Sequence, residues 1–144
     1  MRLTSFTDYG LRALMRLAGA PDQGFTAEGL AREFGVSRHH LTKVVRALGS
    51  AGFVSTSRGA GGGFRLARPA GAITVGDVVR HLEGRHALVE CFRADGGACV
   101  LTPGCRLKKH LARAREAFLT ELETVTVADC AVAPPPAPRV AMAP

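Results

Sequence analysis

Apolar residues recur at helical spacing in several stretches of this 144-residue chain, each bounded by residues that start or stop helices. From about Thr4 to Ala18, the residues Leu11, Leu14, Met15 and Ala18 follow the i, i+3, i+4, i+7 spacing of one buried helix face. Asp8 and Arg12 fall side by side at the margin of that face, one turn apart, where they can pair. The segment GAPDQG at 19–24 then breaks the pattern. Thr26 is placed to cap a short helix through Phe34, Gly35 stops it, and Ser37 caps a further helix through about Ser50. Leu41, Val44, Val45 and Leu48 form that helix's apolar stripe.

Helix, tight turn, helix is the helix-turn-helix outline. After it, FVSTSRGAGGGFRLARP at 53–69 alternates as two short strands around a glycine tract, which reads as a β-wing. Thr74 caps a short helix that Gly84 stops. Further on, Leu107, Leu111, Ala114, Phe118, Leu122 and Val125 line one seam of a long C-terminal helix. A helix of ~20 residues is about 30 Å long, more apolar face than a small domain covers, and a second copy of the chain is the natural cover. The predicted fold is therefore mainly α. It has a winged helix-turn-helix over 1–84, a loop over 85–105, a dimerisation helix over 106–130 and an extended or disordered Pro/Ala-rich tail over 131–144.

Charge adds a partner to this outline. Net charge is +7 with a pI of about 10.1, which suits a polyanion, and its placement matters more than its size. Opposite the apolar stripe of the 37–50 helix lie His39, Lys43, Arg46 and Ser50, with Arg38 and Thr42 nearer the edges. That face, with Ser37 at its N-terminal end, suits phosphates and base edges in a DNA major groove. Arg58 and Arg65 flank the wing glycines, with Arg68 beyond, and can reach phosphate or a narrow minor groove. The glycine tract has neither the G-x-x-x-x-G-K-[ST] nor the G-x-G-x-x-G pattern of a nucleotide loop, and no nucleophile and base pair off, so an enzyme is not expected. No apolar run reaches the ~18 residues of a membrane span, and charges interrupt the N-terminal apolar pattern, so the expected setting is the reducing cytoplasm, away from membranes.

In that setting cysteines call for explanation, because structural disulfides are rare there. Cys91, Cys99 and Cys105 fall within one Gly-rich stretch at C-x7-C-x5-C spacing, unlike paired CxxC zinc ribbons. Packing, disulfides, zinc and iron all remain open at this point. In TPGC, Thr102 reads as an N-cap, Pro103 as the first helical residue and Cys105 as the third, where backbone N–H groups and the helix dipole favour thiolate. Arg106, Lys108 and Lys109 crowd the same turn, which an anionic group such as a 4Fe-4S centre with anionic ligands would relieve. Cys130, beside the tail, reads as an incidental thiol.

The order of motifs carries a resemblance. MRLTSFTDYGLRALMRLA, the helix-turn-helix, GGGFRLARP, ITVGDVVRHLEG, LVECF and TPGCRLK together resemble the NsrR and IscR family of winged-helix iron–sulfur regulators, in its nitric-oxide-sensing branch, over most of residues 1 to 130. The resemblance implies a homodimeric repressor that binds a double-stranded operator and is not an enzyme. It further implies an iron–sulfur cluster, 4Fe-4S rather than 2Fe-2S, that responds to nitric oxide. Cys91, Cys99 and Cys105 would each hold one iron, Asp8 of the partner subunit would reach the fourth, and Arg12 would orient that carboxylate. IscR-like members place a His three residues beyond the third Cys, where this chain has Lys108, and His110 is off register. A thiol- or zinc-based redox switch, or an IscR-type homeostasis regulator, are the alternatives on the same fold.

Overall fold

The structure, a computed structural model, describes residues 2–57, 63–84 and 86–133. Its elements in chain order are helices α1 (Ser5–Ala18), α2 (Ala27–Phe34) and α3 (Arg38–Ser50), strands β1 (Val54–Ser57) and β2 (Gly63–Leu66), then helices α4 (Val75–Glu83) and α5 (Arg106–Glu123). The fold is mainly helical with one small sheet, as the spacing predicts. Local chemistry fixes most boundaries. The hydroxyls of Thr4, Thr26 and Thr74 each accept the N–H of the residue three further on, satisfying a donor that the first helical turn leaves unpaired. Gly35 ends α2 in the left-handed conformation, at φ 67°, where a side chain would be strained. Ser37 sits at the N-cap of α3 but makes no side-chain capping bond there.

The core lies where α1 crosses α3 and α4. Leu14, Leu17, Leu30, Leu41, Leu48, Ile73 and Val78 are all fully buried in it. Each such Leu or Val stabilises the fold by about 1.5–3 kcal/mol of burial. β1 and β2 pair antiparallel with Ser55 opposite Arg65. The wing base is widened by Phe25, whose N–H and carbonyl both bond to Phe64 of β2 at 3.1 and 2.7 Å. Phe25, Phe53 and Phe64 are buried beneath it.

α5 joins this body mainly at its C-terminal end. Arg80 of α4 donates to Glu116 and Glu123 of α5 at distances of 2.8 to 3.1 Å. The seam predicted to continue to Val125 leaves the helix at Glu123, because the following backbone pairs elsewhere: the Val125 carbonyl accepts the Val75 N–H, and the Val127 N–H bonds to the Ile73 carbonyl. Val127 is buried, and the Val132 N–H bonds to the Met15 carbonyl at the end of α1. The residues after Glu123 thus strap the C-terminal helix back onto α1 and α4. The tail beyond Ala133 and the wing tip with Arg58 lie outside the described residues.

Candidate DNA interface and cysteine loop

The stripe Leu41, Val44, Val45 and Leu48 is buried, which forces the opposite face of α3 outward. Ser37, Arg38, His39, Lys43 and Arg46 are all exposed. Among the described residues none of Arg38, Lys43 and Arg46 has a carboxylate within ion-pair distance, whereas Arg16, Arg32, Arg80 and Arg93 each do. An uncompensated cationic helix face is the electrostatic footprint of a polyanion partner. Thr42 is half-buried and its hydroxyl donates to the Arg38 carbonyl at 2.8 Å, which leaves its oxygen as an acceptor. Sequence reasoning passed over His40, which is exposed beside His39 with ring centroids 6.4 Å apart. Its position in the first turn of a recognition helix was the available signal.

On the wing, Arg65 is exposed on β2 while its neighbour Phe64 points into the core, the period-two alternation of a strand. Arg68 behaves differently. Its guanidinium stacks over the Phe53 ring at 5.3 Å, which makes it part of the wing's packing.

The cysteine loop is a series of tight turns. Cys91 lies in a 3₁₀ turn at Glu90–Phe92, and Gly96 and Gly97, both at positive φ, reverse the chain behind it. A Cβ at Gly97 would collide with the Glu90 carbonyl, so the two limbs touch as closely as backbone allows. The Glu90 carboxylate accepts the Ala98 N–H at 3.2 Å, tying the neighbours of Cys91 and Cys99 together. The Cys99 carbonyl then accepts the Thr102 N–H, and the Thr102 carbonyl the Cys105 N–H, at 3.2 and 3.4 Å. Three half-buried free thiols therefore sit on one hydrogen-bonded run of turns.

The start of α5 corrects the expected register. Thr102–Gly104 forms a separate 3₁₀ turn with Pro103 inside it, and Cys105, extended at ψ 106°, is the N-cap of α5 and not its third residue. Proline's fixed φ suits a 3₁₀ turn as well as an α-helix, so Thr-Pro alone does not set which begins there. Among the described residues no three His, Cys, Asp or Glu side chains converge on a point that would hold a metal ion within the single chain. Beside the loop, a cleft of about 870 Å³ opens between Glu90, Phe92, Arg93 and Arg115.

Asp8 lies on α1, paired with Arg12 through two contacts at 2.8 and 3.1 Å. Both side chains are about half exposed. A surface pair of this kind is worth about 0–1 kcal/mol, so the carboxylate can leave Arg12 at little cost.

Residues 3–133 match the Rrf2 family, described as iron-dependent transcriptional regulators. The chain belongs to this family. Solved structures agree: CymR (YrzC), the global cysteine regulator of B. subtilis, is 32% identical, with 91% of this chain and 96% of that one covered and a TM-score of 0.72. The oxidised form of Staphylococcus aureus CymR is 28% identical over 94% of this chain and 99% of its own, also at 0.72. T. potens IscR is 27% identical over 90% and 85%, at 0.68. Rrf2 proteins are transcription regulators, and the exposed cationic face of α3 is the surface that DNA binding in such a role needs. No helix among the described residues is long and apolar enough to cross a membrane.

Proposed function

We propose that this Rrf2 regulator is a homodimeric, sequence-specific repressor of the NsrR type, whose grip on its operator depends on an iron–sulfur cluster and is released by nitric oxide. The observation that carries this reading is the run of three free thiols on one turn-linked loop. The donor chemistry fits: soft thiolates are the ligands of iron–sulfur clusters. Cys91, Cys99 and Cys105 would hold three irons of a 4Fe-4S cluster, with Asp8 of the partner subunit at the fourth. When bound, the cluster supplies an iron on a weak oxygen ligand, open to a small neutral molecule such as nitric oxide.

The protein's own residues supply the coupling. Asp8 leaves its loose pair with Arg12, which stays beside it and orients it. Leu107 is 60% exposed in the single chain, and Leu111, Ala114, Phe118 and Leu122 continue its seam without being buried, so a second α5 covers them. Asp8 reaching across that dimer ties α1 of one subunit to the cysteine loop of the other. The tie fixes the separation of two α3 helices near the roughly 34 Å of one DNA turn. DNA affinity then changes by the free energy the tie contributes.

Convergence of the thiols is not present within the single chain, and two of the similar structures are CymR, one of them in an oxidised form. Those observations favour a second reading, a thiol or zinc switch without iron on the same DNA-binding body. Lys108, where IscR-like members place a His, argues against the IscR type. Anaerobic purification with iron, sulfide and zinc analysis decides. Visible absorbance with iron and sulfide near four per chain supports the cluster, and colourless protein holding zinc or nothing supports the thiol switch.

A further inference from the structure

Arg16 is the one charged side chain buried in the body of the described residues, 6% exposed. It lies on α1 two turns after Asp8, and its guanidinium makes contacts in two directions. Nε donates to the Glu33 carboxylate of α2 at 2.7 Å. Its plane covers the Phe25 ring, 5.0 Å from the centroid, and Phe25 is the residue whose backbone bonds twice to Phe64 of the wing. The Nη1 atom is buried with no hydrogen-bond partner among the described residues.

Burying an ion pair is a poor route to stability, since desolvation offsets most of the attraction and well-packed apolar residues do as well. An arginine in such a place supplies direction instead: a planar fork has one orientation that meets both Glu33 and the Phe25 face. We propose that Arg16 is a positioning residue for DNA recognition, setting the angle of the wing relative to the helix-turn-helix. A displacement of α1 is then passed to the wing base through Arg16 and Phe25 as well as through the direct packing of α1 on β2. Asp8 and Arg16 share one rigid helix, so a pull on α1 at its first turn moves the wing base as well as α3. The inference rests on the proposed DNA-binding role of Arg65.

The test is a double-mutant cycle on the full-length protein, using a duplex selected from a random pool by the wild-type chain. Arg65→Ala should weaken binding about fivefold in the wild-type background, a modest phosphate or groove contact. In an Arg16→Met background the same change should cost less than about twofold, because a wing no longer held in place has no contact left to lose. Arg16→Lys keeps a charge for Glu33 but loses the planar stack on Phe25, and should give an intermediate value. It also provides the reading if Arg16→Met does not fold. A purely structural Arg16 would lower the melting temperature and leave the fivefold effect of Arg65→Ala intact in either background, which overturns the inference alone. No effect of Arg65→Ala in the wild-type chain would overturn the wing's DNA role and this inference together.

Discussion

The winged helix-turn-helix and the segment that follows it are built on opposite terms. Through α4, every helix seats an apolar face in a common core. From residue 86 through residue 118, no described residue is buried, and Val100, Leu101 and Leu107 stand 90%, 69% and 60% exposed. The first region is stabilised by its own burial. The second is held by short turns and by the C-terminal part of α5, and its apolar surface has no cover among the described residues. A region packed around a common core suits the reading of DNA, whereas on the proposed function the exposed loop and seam, completed by a second subunit and a cluster, suit the sensing of a state.

The sharpest break in the comparison lies at the thiols. Cys91→Ser, Cys99→Ser and Cys105→Ser should each abolish a stable cluster on anaerobic reconstitution while leaving the melting of the winged domain unchanged. Cys130→Ser should retain it. Asp8→Ala should keep a more labile cluster, read as a shorter absorbance lifetime in air. Equal cluster loss in all four cysteine variants would remove the assignment.

Core and seam substitutions separate the regions next. Leu48→Ala in the core should cost about 2–5 kcal/mol of folding stability. Leu107→Ala should change folding by less than about 0.5 kcal/mol. It should nevertheless weaken dimerisation about tenfold if its side chain is a central contact. Denaturant melts and concentration-dependent sedimentation give the two numbers.

On the reading surface, Lys43→Ala and Arg46→Ala should each weaken operator binding by about 1–3 kcal/mol without altering the dimer. Arg65→Ala should do less and with little sequence preference. Unchanged affinity and salt slope in all three would place the DNA surface elsewhere.

The smallest effect belongs to the joint between α1 and α4. Burial opposes the charge of Glu83, but bonding from Thr7 and Thr4 outweighs it, so its carboxyl is held below its ordinary value of 4.5. Thr4 donates to it through both N–H and hydroxyl at 2.8 Å. A depressed folded-state pKa means that this stabilisation is complete above the ordinary value and is lost as pH falls through the depressed one. Glu83→Gln should therefore cost about 1 kcal/mol near neutrality, and the gap to wild type should close on acidification below 4.5 in urea melts.

What the sequence made legible follows the same division. Thr26, Gly35 and Thr74 marked helix ends correctly because capping is decided within three or four residues, and Ser37 marked the start of α3 by position although its hydroxyl makes no capping bond. The buried stripe of α3, and with it the exposed cationic face, followed from periodicity alone. The end of α5 did not, because Val125 and Val127 leave the helix to pair with Val75 and Ile73 some fifty residues earlier in the chain. The Arg16 to Glu33 pair joins α1 to α2, with Phe25 of the wing base against the same guanidinium, and no local pattern announces it. At Cys105 the local signal was ambiguous, since proline serves a 3₁₀ turn as readily as a helix start. The Asp8 to Arg12 pair, one helical turn apart, was legible and is present.

The most direct measurement is an anaerobic nitric oxide titration of the reconstituted dimer, following visible absorbance and the fluorescence anisotropy of bound operator in the same cuvette. Cluster-dependent repression predicts that absorbance and DNA binding are lost over the same stoichiometric range, and that apo-protein binds weakly from the start. Apo-protein that binds as tightly as the reconstituted form, or DNA that stays bound after the absorbance is gone, would contradict it.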